Sequence, residues 1–134
     1  MNKKRVNDWI APAKTAIEKF GISKDGKIEK SFRGQISSFG AAVTMGSLRA
    51  AVAFFSEQGQ AEVDRSKLIV AIYYIISNGK TLSPIQIFEY ICAQNDDAKT
   101  KEEFIDASIA LKLAMNLFEL VTTKKGSGDT MKEN

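Results

Sequence analysis

Apolar residues recur at helical spacing from the start of the chain. Val6, Ile10, Ala13, Ile17 and Phe20 fall at i, i+4, i+7, i+11 and i+14, the stripe of a first helix. Pro12 lies inside it and has no N–H for the Asp8 carbonyl, so a kink or a helix in two pieces is expected. The stripe runs through the proline in phase, which favours one kinked helix. Gly21 suits the position after the helix, with Ile22 making the hydrophobic contact that follows. Asp25-Gly26 marks residues 23–27 as a turn.

Phe32, Ile36, Phe39 and Val43 form a second helical stripe. Glycines at 34, 40 and 46 each lower helix propensity by about 1 kcal/mol relative to alanine, so that helix must gain its stability from packing. Gly34, Ser38 and Ala41 leave one side slim enough for another backbone to approach. A break at Gly46-Ser47 then starts a helix over 48–57, with Leu48, Ala51, Val52 and Phe55 inward and Gln58-Gly59 closing it. Residues 68–76 are apolar all round and rich in β-branched and aromatic types. They would suit a buried strand, but no second strand-like segment exists to pair with them. The charged lead-in and the Asn78-Gly79 stop make 62–77 a buried helix.

Ser83-Pro84-Ile85-Gln86 carries an N-cap serine, proline at the first helical position and glutamine at the third. Thr100-Lys101-Glu102-Glu103 reads as another capping box. The helix after it is apolar on nearly every side, with Lys112, Asn116 and Glu119 as its polar strip, so it belongs at the centre of a bundle or beneath a partner. The predicted fold is all-α: one compact, irregular bundle of about five to seven helices over 1–125, with 126–134 a disordered tail.

Composition narrows the chemistry. The 134 residues include no histidine and a single cysteine, which removes His-based triads, His-ligated metals, thiolate zinc clusters and internal disulfides. The basic start, Met1 to Arg5, has no apolar run behind it, and the longest apolar run is half a membrane span. A soluble, cytoplasmic protein without membrane contact is expected. Asp96-Asp97 and Glu102-Glu103 stand where acids cap helices, and Cys92 reads as buried filler. No spacing suits a metal or a phosphate loop. The chain is therefore expected not to be an enzyme, with no catalytic residues, metal or cofactor.

The net charge of +3 is unevenly spread. Residues 1–35 carry +5, residues 36–80 carry +1 and residues 81–134 carry −3. A basic front and an acidic rear suit an anionic partner on one face, or head-to-tail stacking of copies. Arg33, Ser37, Gly40 and Thr44 share one helical face that is basic at one end and small or hydroxylic along its length. A sugar–phosphate strand wants such a surface: a guanidinium fork, hydroxyl groups and no bulk. Packing against another helix explains the small residues equally well. Lys27, Lys30 and Arg49 flank this face, with Lys14 behind them on the first helix. No aromatic makes an obvious base-stacking platform, and Trp9 reads as a core edge or interface anchor.

The segment Lys30-Ser-Phe-Arg-Gly-Gln-Ile-Ser-Ser-Phe-Gly-Ala-Ala-Val43, continuing through Gly46-Ser-Leu48 and Ala51-Val-Ala-Phe-Phe-Ser-Glu-Gln-Gly59, resembles the small subunit of the CRISPR-associated type III-B (Cmr) RNA-silencing effector complex. The Arg33-Gly34 and Ser38-Phe-Gly40 steps and the Ala53-Phe-Phe-Ser56 end carry the likeness. It implies a helical, non-catalytic subunit in several copies along a ribonucleoprotein filament. Its partners would be the backbone and large Cmr subunits, copies of itself, and guide and target RNA touched through phosphates. Arg33, Lys30, Lys27, Arg49 and Lys14 are the expected RNA-binding residues. The alternative is a helical adaptor or homodimer without a nucleic-acid role. A helix-turn-helix DNA binder lacks a polar, basic recognition helix here.

Overall fold

The computed structural model describes residues 1–57 and 63–122. Among these, six helices surround one core: α1 (Lys3–Lys19), α2 (Lys30–Met45), α3 (Leu48–Phe55), α4 (Ser66–Ile76), α5 (Pro84–Ala93) and α6 (Asp97–Met115). Helix α6 is the central element, packed against α1, α2 and α4, while α3 and α5 close the remaining side. Its nearly all-round apolar character follows, since Phe104, Ala107, Ala110, Leu111, Ala114 and Met115 are all fully buried.

Local signals set most boundaries. α1 runs unbroken through Pro12 and ends in a Schellman motif. Gly21 is left-handed (φ +73°) and donates to the Glu18 carbonyl, while Ile22 donates to Ile17, and both isoleucines are buried. α4 ends in the same way, with Asn78 in the left-handed region and Gly79 N–H bonded to the Tyr74 carbonyl at 2.8 Å. Ser83 and Gln86 form the expected reciprocal capping box.

Two expectations about the helices need correction. α6 begins one turn before Thr100, because the Asp96 side chain accepts the Lys99 N–H and caps the helix first. Thr100 is buried inside that first turn, with its hydroxyl donating to the Asp96 carbonyl. Cys92 is exposed rather than buried, since α5 turns Ile87 and Ile91 inward and leaves the next position outside.

The helices are also joined by a small sheet. β1 (Ser23–Lys24) and β2 (Lys27–Glu29) form a hairpin, and β3 (Glu119–Val121) lies parallel to β2. Asp25 and Gly26, both with positive φ, make the two-residue turn that matches strand twist. The expected turn is therefore a hairpin loop, and the sheet ties the chain after α6 to the start of α2. The expected tail at 126–134 and the helix end at Gln58-Gly59 lie outside the described residues. No described helix is long and apolar enough to cross a membrane.

Candidate nucleic-acid interface

Helices α2 and α6 run antiparallel, and the small face of α2 forms the floor of a groove between them. Ser37, Gly40, Ala41 and Thr44 meet Ile105, Ser108, Ile109 and Lys112 around a cleft of about 280 Å3. A side chain at Gly40 would touch the Ser108 hydroxyl at 3.9 Å, so glycine keeps the floor open. A separate cleft of about 300 Å3 lies past the end of α2, with Ser47, Arg49, Asp97, Thr100 and Lys101 among its lining. Along α6 the contributing positions 97, 101, 105, 108 and 112 follow one helical stripe. The 19 residues of α6 make this track about 28 Å long.

Arg33 stands at one end. Its Nη1 donates to Asn116 Oδ1 at 2.5 Å and, more weakly, to the Lys112 carbonyl at 3.4 Å. Both bonds use one nitrogen, so the rest of the guanidinium fork can meet an outside acceptor. Arg49 stands at the other end, 3.9 Å from Asp97, and both side chains are more than half exposed. An exposed pair at that distance is weak and would exchange readily for a phosphate.

The five predicted cations do not share one patch. Arg33 and Arg49 mark the two ends of the groove. Lys30 is exposed on the first turn of α2. Lys14, on α1, pairs with Glu18 at 3.0 Å and lies over Phe118. Lys27 sits in β2 and lines a different cleft.

Lys101 and Lys112 were missed. They belong to the acidic rear third, where net charge hides them. In the fold, α6 sorts its charges by side. Glu102 lies 3.5 Å from the N-terminal amine, and Asp106 is bound by Arg5, both toward α1. Glu103 acts on Tyr90 of α5 and helps raise its pKa. The side facing α2 is left with Lys101 and Lys112 against Asp97 alone. The signal was available as the i, i+4, i+7, i+11 spacing of Lys101, Ile105, Ser108 and Lys112.

Among the described residues no cluster of three or more His, Cys, Asp or Glu side chains could hold a metal ion. The chain matches no family model, no curated protein and no solved structure.

Proposed function

We propose that the chain is a non-catalytic RNA-binding subunit that lays a sugar–phosphate backbone along the α2–α6 groove. The observation that carries this reading is the groove's composition. Four cations, Arg33, Lys112, Lys101 and Arg49, are strung along α2 and α6 beside clefts lined by glycine, alanine and hydroxyl groups together with Ile36, Ile105, Ile109, Leu48 and Ile91, with one acid, Asp97, among them. Such a surface favours phosphate contact over base reading, because no aromatic ring lines it for stacking. Lys30 precedes Arg33 by one turn of α2, at the same end. The resemblance of residues 30–59 to the Cmr small subunit supplies the setting: a multi-copy subunit in a type III-B RNA-guided complex, touching guide and target RNA beside backbone and large subunits.

Fluorescence anisotropy with labelled single-stranded and duplex RNA over a range of salt tests the groove. Arg33→Ala, Lys101→Gln and Lys112→Gln should weaken binding similarly on all sequences, each reducing the salt slope by roughly 0.7–1. Unchanged affinity and slope in all three variants would overturn the assignment. The setting is tested by purifying the chain from its own cells, where RNA of uniform length with a common leader is expected.

A second reading, a protein-interaction module without RNA, draws on one other surface. Ala53, Ser56, Pro84, Ile85 and Phe88 line an apolar hollow between α3 and α5, beside the 57%-exposed Phe54. Ile85 is 69% exposed, although an apolar side chain of that size gains by burial. A complex that survives nuclease treatment and is lost in Ile85→Lys would favour that reading.

A further inference from the structure

A further cleft lies beside the sheet, between the β1–β2 hairpin and the start of α4. Its volume is about 400 Å3, enough for a small ligand. Lys24, Lys27 and Lys67 line it, with Ile22, Phe32 and Val121 as apolar wall. Lys67 is held in place by donating from Nζ to the Gly21 carbonyl at 3.3 Å, while Lys24 and Lys27 are exposed.

Two acids share the cleft, and their states differ. Asp64 is engaged at the start of α4, where its Oδ1 accepts from the Ser66 N–H and hydroxyl. Glu29 is the residue at the N-cap of α2, but its side chain caps nothing, and Oε1 is buried without a hydrogen-bond partner. The Glu29 carboxylate itself stands at the positive end of the α2 dipole, and the first turn after it holds no further acidic residue. The cleft thus sets three ammonium groups and an apolar wall against two carboxylates, Asp64 and Glu29, the second with one oxygen that lacks a hydrogen-bond partner.

We propose that this cleft binds a phosphate monoester carried by a nucleoside. The dianion sits among Lys24, Lys27 and Lys67, and the Glu29 side chain, whose Oε1 is closed to solvent at rest, turns toward the cleft to accept an N–H edge of the base. The monoester has two possible sources, a free mononucleotide or the 5′-phosphorylated end of an RNA strand. The site is separate from the α2–α6 groove and does not depend on it.

Calorimetric titration of the whole chain with guanosine 5′-monophosphate tests the site, with guanosine and inorganic phosphate as references. Guanine is chosen because it presents N–H donors on one edge. The nucleotide should bind more tightly than either reference. Lys24→Gln and Lys27→Gln, both at exposed positions, should each weaken it roughly tenfold. Glu29→Gln should cost nucleotide affinity while leaving inorganic phosphate unweakened. Lys101→Gln and Lys112→Gln in the groove should leave nucleotide binding unchanged, so this site and the groove fail separately. Tighter binding of a 5′-phosphorylated oligonucleotide than of the mononucleotide, lost in its 5′-hydroxyl form, assigns the source to an RNA end; the reverse order assigns it to the free nucleotide. No heat with any phosphate, or binding indifferent to both lysine variants, would overturn the proposal.

Discussion

Arg5 binds a single oxygen of Asp106 twice, through Nη2 at 2.7 Å and Nε at 3.1 Å. The same Oδ2 accepts the Asn2 N–H at 3.2 Å. Asp106 is fully buried on α6, and its other oxygen has no partner, so the carboxylate's lost hydration is offset mainly by Arg5. This pair fastens the first turn of α1 to the central helix. Removing one partner of a buried pair costs more than the pair itself contributes. Arg5→Ala should therefore lower stability by about 3 kcal/mol in urea denaturation. Replacing both residues, Arg5→Met with Asp106→Leu, should recover much of that loss. A single-variant loss well under about 1 kcal/mol would show that the carboxylate finds solvent in another way.

The glycines within α2 and at its C-cap divide by what surrounds them. A side chain at Gly34 meets nothing within 4 Å, and at Gly40 it makes only ordinary contact. Alanine at either site should raise stability by about 0.5–1 kcal/mol through backbone propensity. At Gly46 a Cβ would come within 3.0 Å of the Ala42 carbonyl, which already accepts the Gly46 N–H. Gly46→Ala should therefore gain less or destabilise. Thermal denaturation of the three variants orders them. Gly40→Leu is a separate probe: it fills the groove floor and should reduce RNA binding without removing a charge.

Ser83 and Gln86 satisfy each other's backbone N–H groups, at 3.3 and 2.9 Å. Ser83→Ala removes the cap bond and should cost about 1 kcal/mol, measured by the shift of the denaturation midpoint. Gln86→Ala removes only the returning bond and should cost less. An equal loss in both would mean that the two bonds act as one unit.

Tyr90 contributes to the alkaline pH dependence. Burial raises its pKa above the usual 10.0, with the Glu103 carboxylate and then Tyr73 adding to the effect. The folded chain therefore favours the neutral phenol. That contribution is fully present below the unfolded value near 10 and is lost as pH rises through the higher folded value. Ultraviolet titration should show a tyrosine component above the usual range, which Tyr90→Phe should remove. Glu103→Gln should bring it part of the way back toward the ordinary value.

Much of the helical order was legible because its signals are local. The Phe32–Val43 stripe, the Gly46-Ser47 break, the Ser83 cap and the Asn78-Gly79 stop each act within a turn or two of their own residue. The start of α6 was misread because two cap signals lay four residues apart, and Asp96, the first along the chain, closes the helix. Strands of two and three residues leave no alternating pattern to find. Cys92 was misplaced because the identity of a residue on a one-sided helix does not say which side packs.

What the amino-acid order determined by itself was the helical class, most of the breaks, the apolar stripes and the small, hydroxylic face of α2, all set by backbone propensity and short-range hydrogen bonding. What only the tertiary structure decided was which distant segments meet. Arg33 finds Asn116 across 83 residues, and β2 pairs with β3 across a similar span. The core chooses those encounters, because burying the apolar sides of α6 against α1, α2 and α4 fixes its rotation. That rotation turns Glu102 and Asp106 toward α1 and leaves Lys101 and Lys112 beside Arg33 and Arg49, a sorting of charge that net counts along the chain conceal.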